Sequence, residues 1–330
     1  MVKVIIYIED NCEKCLQAIA VLEKLQKEIK FEVQAININE TIALENAYEG
    51  KTPFIKVGPY KISNDMSEAK LRMTIGAAID RDRQLTDVGD ELYQRRRENA
   101  TIFNNSDHFM LWLSKNHIWL INFMLLLYVG LPFLAPVLAK YELNLPAKVI
   151  YTIYRPLCHQ LAFRSWFLFG EQLYYPRSLA DISDVISYEQ LTGENEINIK
   201  AAQQFIGNEK VGYKVALCQR DVALWGSMLL FGLIFVLSGK KIRSLHWAVW
   251  ALIGLIPIGI DGFSQLPGLA SALPAWLPIR ESNPILRTIT GALMGFTTSW
   301  FLFPLLEESM RETRLVLIEK LSALNKRSSS

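Results

Sequence analysis

Of the four cysteines in this chain, Cys12 and Cys15 stand three residues apart in the stretch Asp10-Asn11-Cys12-Glu13-Lys14-Cys15. A thiol pair at that spacing can exchange electrons with disulfides, supply part of a metal site, or pack as small apolar residues. The β-branched run VKVIIYI precedes the pair and LQAIAVLEKL follows it, so the sulfurs fall where a strand hands over to a helix. There the first sulfur meets unpaired backbone N–H groups and the positive end of the helix dipole, which together lower a thiol pKa from about 8.5 toward neutrality. Cys12 is then the attacking thiolate, and Cys15, one turn on and less exposed, resolves the mixed disulfide. Lys14 adds positive charge beside them, and Glu13 partly offsets it. A zinc site would need two further ligands, and residues 1–80 contain neither a histidine nor a third cysteine. A domain kept only for docking is the other alternative.

A second group of reactive side chains lies far downstream. It comprises Cys158-His159-Gln160 with Arg164, then Cys218-Gln219-Arg220-Asp221, then Asp261 and Gln265, and finally Glu281, Ser282, Asn283 and Arg287. Cys158, His159, Cys218 and Asp221 offer two sulfurs, a nitrogen and an oxygen, a donor set that suits zinc or another transition metal. Cys158 and Cys218 could instead form a disulfide in an oxidising compartment. A third reading is a polar cluster that ties helix ends together, with Asp221 and Arg287 neutralising each other. A fourth is a metal-dependent membrane hydrolase built on His159, Asp221, Asp261 and Glu281.

The elements that must position these residues fall into two parts. The chain has 330 residues, 51% of them hydrophobic, with mean hydropathy above zero. Two domains and contact with a lipid bilayer are expected. A net charge of +2 argues against a nucleic-acid-binding surface. The first residues form no long apolar segment before a small-residue cleavage site, so no secretory signal peptide is expected. Residues 1–80 alternate strand and helix patterns in the order βαβαββα, with Leu16, Ile19, Ala20, Leu22 and Leu25 on one side of the first helix. Residues 81–117 are densely charged and read as a solvated linker helix.

From residue 118 to about 310 the pattern is that of a membrane domain. Ile118–Ala139, Val222–Gly239, Ser244–Ile260 and Thr288–Leu306 are the four expected spans, each set against a hydrocarbon core of roughly 30 Å. Basic residues at 95–97 and 115, at 240–243, and at 311–327 fall on one side if there are four crossings, which places both termini in the cytoplasm. Residues 147–170 are apolar but contain Arg155, Pro156, His159 and Arg164, and two charges at about 3 kcal/mol each argue for an interfacial or re-entrant helix. Residues 171–217 form an outer loop or small cap. Gly291 and Gly295 mark close helix packing in the last span. The tail 311–330, ending SALNKRSSS, reads as disordered at its end. In this topology every polar residue of the second group collects at the outer membrane face.

Two resemblances follow from these motifs. DNCEKC with Thr52-Pro53 in TPFIKVG resembles the thioredoxin and glutaredoxin superfamily, and especially short glutaredoxin-like proteins. The resemblance implies a cis Pro53 facing the dithiol, substrate pairing at Thr52 and Pro53, and a thiol or disulfide substrate, with glutathione a candidate. CHQ at 158–160, CQRD at 218–221 and ESNPILRTITG at 281–291 resemble polytopic membrane proteins catalogued as domain of unknown function 2085, over about residues 120–305. The expected architecture is thus an α/β thioredoxin-like domain joined to an all-α polytopic membrane domain of about four helices. The expected activity is thiol–disulfide exchange at Cys12 and Cys15. The alternative is a transporter or metal-binding membrane protein with a redox-sensing domain.

Overall fold

The computed structural model describes residues 2–40, 42–63, 66–99, 102–193, 198–265 and 281–328. The chain divides into two compact units, one of Met1–Lys115 with Met310–Ser330 and the other of Asn116–Ser309.

In the first unit β1 (Lys3–Ile8), α1 (Glu13–Gln26), β2 (Glu32–Asn37), α2 (Ile42–Tyr48), β3 (Phe54–Val57), β4 (Tyr60–Ile62) and α3 (Glu68–Asp87) follow the expected βαβαββα order. The sheet order is β2-β1-β3-β4. β1 and β2 are parallel, with Ile6 opposite Ala35, whereas β3 runs antiparallel to β1 and β4 antiparallel to β3. A parallel β1–β2 pair needs a helical crossover, and α1 supplies it. Val4, Ile6, Leu22, Leu25, Ile55, Val57, Leu71 and Ile75 form the core that binds α1 and α3 to the sheet. The buried stripe of α1 is Cys15, Ala18, Leu22 and Leu25, while Leu16 and Ala20 face outward. Leu22 and Leu25 fit either stripe, and the helix settles about one residue, or roughly 100°, away from the expected face because Cys15 and Ala18 pack closer to the strands.

The charged stretch 81–117 is not one helix. α3 runs on to Asp87 and stops at a left-handed Gly89, α4 (Glu91–Asn99) follows, and α5 (Asn105–Lys140) has already begun at Asn105. The C-terminal part of this unit also departs from expectation. α12 (Pro284–Ser328) stays helical through the residues read as a disordered tail, whose last two serines lie outside the described residues. It stays ordered because it has partners. Glu319 accepts hydrogen bonds from the Tyr48 hydroxyl at 2.7 Å and the Lys56 ammonium at 2.8 Å, the Ala323 carbonyl accepts from Gln34 at 2.8 Å, and Ile318 packs against Tyr7, Ile36, Ile38 and Leu44.

The second unit is mostly helical. Among the described residues, α5, α9 (Gln219–Leu237) and α12 are the three helices long and apolar enough to cross a membrane. Trp119, Phe123, Met124, Leu127 and Leu131 lie exposed along α5, as lipid-facing side chains do. The third expected span is shorter. α10 (Trp247–Trp250), a π-helical segment (Ala251–Leu255) and α11 (Ile256–Phe263) form one apolar helix of 17 residues, about 25 Å long. The GxxxG expectation holds: a Cβ on Gly291 would lie 2.5 Å from the Arg220 carbonyl oxygen, and one on Gly295 would collide with that of Leu224, so α12 runs backbone to backbone against α9.

Residues 147–170 do not form one interfacial helix. α6 (Asn144–Tyr154) ends two residues before Pro156, and the apolar residues beyond become β5 (Ser165–Leu168). β5 joins β6 (Gly207–Asn208) and β7 (Gly212–Cys218) in a three-stranded antiparallel sheet of order β5-β7-β6, with short helices α7 (Tyr188–Thr192) and α8 (Ile199–Gln204) in the intervening chain. Residues 171–217, read as an outer loop or small cap, thus supply β6, most of β7 and the two short helices, and their acidic stretch 194–197 lies outside the described residues.

Candidate functional sites

The first site begins at the end of β1. Asn11 takes a left-handed φ of 58°, which turns the chain so that Cys12 becomes the N-cap of α1. Cys12 and Cys15 are joined as a disulfide, with Cα atoms 5.2 Å apart. The Cys12 sulfur accepts the Cys15 backbone N–H at 3.1 Å, which is the contact the sequence argument requires for a stabilised thiolate. Cys15 is buried and Cys12 only half-buried, so an incoming sulfur reaches Cys12 first. Asp10 anchors the loop by accepting from Asn37 and Asn39, each at 2.8 Å, and the Asn39 and Asn37 bonds hold its carboxyl below the usual range.

The Thr52–Pro53 peptide is cis, as the resemblance implied. Lys14, Gln17, Thr52, Pro53, Phe54 and Met66 line a groove of about 870 Å³ between the first turns of α1 and the start of β3. The Thr52 hydroxyl is buried without a hydrogen-bond partner among the described residues.

The second site lies in the other unit, where the polar residues at the ends of α9, α11 and α12 and in the Cys158 loop do converge. Arg220 pairs with Asp261, which also accepts from the Ser282 hydroxyl at 3.0 Å. Glu281 receives Arg287, Arg164 at 3.0 Å and Arg177 at 3.7 Å, and Arg287 also donates to Gln265 at 3.0 Å. Asn283 caps the start of α12 by accepting from the Leu286 N–H at 2.7 Å. The expected pairing of Asp221 with Arg287 is replaced. Arg287 takes Glu281, and the Cys218 thiol donates to Asp221 at 3.1 Å.

Cys158 is buried and accepts the Cys218 backbone N–H at 3.3 Å. Cys158 and Cys218 are not joined to each other. The hydrogen bond from Cys218 pulls the Cys158 thiol below its ordinary pKa, and the same neighbour, with burial and Asp221, pushes Cys218 well above its own. Of the four expected metal ligands, Cys158, Cys218 and Asp221 place their donor atoms within 4.8 Å of one another. His159 is not in that set; it is exposed and lines the mouth of a cavity of about 280 Å³ with Arg164, Arg220, Gln265 and Arg287. Asp261 and Glu281 are held by arginines outside the set, so the hydrolase grouping of His159, Asp221, Asp261 and Glu281 does not form.

Gln160 has a structural part. Buried in a left-handed turn, it donates to the carbonyls of Tyr151 at 2.9 Å and Ala216 at 3.0 Å and so sets the Cys158 loop against β7. Two residues escaped sequence reasoning. Arg177, alone in a loop, carries no sequence signal. Lys214 is fully buried in β7, donating to the carbonyls of Gln160 and Gln203, each at 2.7 Å, and burial pulls its pKa down to about 7. Its position inside the otherwise apolar strand GYKVALC is the signal that could have found it.

Comparison with known proteins matches the two parts separately. Residues 3–76 match the family described as "Glutaredoxin-like domain (DUF836)", and residues 209–301 match that described as "Predicted membrane protein (DUF2085)". The latter match takes in Cys218 to Asp221, Asp261, Gln265 and Glu281 to Arg287, but not the Cys158 loop. An uncharacterized protein of Methanocaldococcus jannaschii is 28% identical over 163 residues, which are 48% of this chain and 69% of that one. No solved structure matches. The chain is therefore similar to a glutaredoxin-like domain over residues 3–76 and to predicted membrane proteins of DUF2085 over residues 209–301.

Proposed function

We propose that the chain is a membrane-anchored thiol–disulfide oxidoreductase, with Cys12 as nucleophile and Cys15 as resolving thiol. The observation that carries this reading is the Cys12 sulfur at the N-cap of α1, accepting the Cys15 N–H at 3.1 Å. In the reduced form the Cys12 thiolate attacks one sulfur of a substrate disulfide and expels the other as a thiolate. Cys15 then attacks the Cys12 sulfur and releases the second substrate thiolate. The substrate gains two electrons and the protein is left as the disulfide. A soluble protein or a small thiol such as glutathione completes the cycle by reducing that bond. The Thr52 hydroxyl and the groove beside Pro53 suit an extended substrate backbone.

Both termini belong on the cytoplasmic side in this reading. Residues from the two ends of the chain fold into the same unit, which favours an even number of crossings, and the 17-residue helix Trp247–Phe263 is the fourth. The basic residues near 95, 115, 240 and 311 then face the cytoplasm. The test is alkylation of Cys12 in the full reduced chain in detergent, followed by peptide mass analysis across pH. We expect half-maximal reactivity at least one pH unit below the free-thiol value of about 8.5, and a trapped mixed disulfide in Cys15→Ser. An ordinary titration of Cys12, or no trapped species, removes the enzyme reading.

A further inference from the structure

We infer that Cys158, Cys218 and Asp221 form a binding site for a thiophilic divalent cation of the zinc class, separate from the dithiol at Cys12. The local fold builds the ligand set from two directions. β7 ends at Cys218, which is the N-cap of α9, so Cys218 and Asp221 are an i, i+3 pair across the first turn of that helix. Cys158 arrives from the loop after α6, which Gln160 holds against β7. The two sulfurs and the carboxylate oxygen lie within 4.8 Å of one another, with Cys218 Sγ and Asp221 Oδ2 at 3.1 Å. Tetrahedral zinc with metal–sulfur bonds of about 2.3 Å and a metal–oxygen bond of about 2.0 Å spaces its ligands by roughly 3.5–3.8 Å. Side-chain rotations of about 1 Å therefore close the set around one ion.

The surroundings suit a bound metal. The Cys218 backbone N–H already points at the Cys158 sulfur, the kind of outer hydrogen bond that supports a ligating thiolate. Tyr128, Ala216, Leu217 and Val222 pack around the pair and keep that side dry. Two thiolates and a carboxylate around a divalent ion carry one net negative charge. The neighbouring Arg164, Arg177, Arg220 and Arg287 outnumber their carboxylate partners Asp261, Glu281 and Glu189 by one, and that positive charge offsets it. The 280 Å³ cavity opens on the same residues, which leaves a fourth coordination position facing an arginine-lined space that suits an anionic ligand such as a carboxylate or phosphate. A simple disulfide between Cys158 and Cys218 gives no role to a carboxylate hydrogen-bonded to one of the sulfurs.

The test uses the full chain in detergent, in a Cys12→Ser/Cys15→Ser background that removes the competing dithiol, with cobalt(II) as a spectroscopic probe and zinc as competitor. We expect one cobalt per chain with a thiolate-to-cobalt charge-transfer absorption that zinc displaces. Cys158→Ser or Cys218→Ser should abolish the absorption. Asp221→Asn should keep it but bind cobalt about tenfold or more weakly, and His159→Ala should leave binding unchanged. A zinc-dependent rise in the thermal transition, absent from the Cys218→Ser variant, shows binding by a route independent of the spectrum. The inference is overturned if the folded background protein retains no cobalt, if Cys158→Ser keeps the same absorption, or if anaerobically purified protein holds a Cys158–Cys218 disulfide by intact mass.

Discussion

Glu281 is the most exacting place to test the polar site. Its carboxylate takes three guanidinium groups, from Arg164, Arg177 and Arg287, and Arg287 is only 3% exposed. Glu281→Gln keeps the shape and some hydrogen bonding but removes the carboxylate these three share. Breaking a buried ion pair by neutralising one partner costs about 3–5 kcal/mol, because the other charge stays buried without compensation. The retained amide and the partial exposure of Arg164 and Arg177 favour the lower end, about 3 kcal/mol. In a unit of this size each kcal/mol moves the melting temperature by about 2–4 °C, so a loss of about 6–12 °C is expected by tryptophan fluorescence of the full chain in detergent. Glu281→Gln/Arg287→Met should recover more than about 1 kcal/mol of that loss, since it removes both halves of the most buried pair. A fall of less than about 2 °C in the single variant, or strictly additive losses in the double, would refute the view that these charges compensate one another in a dry setting.

Gly295→Ala should destabilise the membrane unit by about 1–3 kcal/mol, because the new methyl meets the Leu224 carbonyl backbone. Gly226→Ala, where a Cβ meets nothing within 4 Å, is the control and should be neutral or stabilising in the same melt. Lys214 gives a pH signature. Its pKa is depressed from an ordinary 10.5 to about 7, so between those values the unfolded chain binds the extra proton and stability rises with pH. Melting temperatures from pH 7 to 9 should therefore climb more steeply in the wild type than in Lys214→Met, and equal slopes would show that the lysine is charged in the fold.

Much of this was legible because local patterns and tertiary demands agree. The βαβαββα order, the turn at Cys12 and the apolar lengths of α5, α9 and α12 all follow from period and composition. The meeting of Arg220, Asp261, Glu281 and Arg287 followed from counting crossings, since an even number returns the ends of successive spans to one face. The failures have separate causes. Residues 147–170 merge a helix and a buried strand into one apolar window, and hydropathy has no term for the change of period at Pro156. The tail looked disordered because its order depends on Tyr48, Lys56 and Gln34, which lie some 260 or more positions earlier in the chain. His159 drops out of the metal set because the left-handed turn at Gln160 buries its neighbours and leaves the imidazole in the open.

The Glu319 contacts bear on how the protein is made. The first strands and the aromatic stack of Tyr7 and Tyr48 leave the ribosome early, but the carboxylate that answers Tyr48 and Lys56 follows them by 263 to 271 residues. The glutaredoxin-like domain therefore waits through the synthesis of every apolar segment with that surface uncovered, and only late in translation is its back closed.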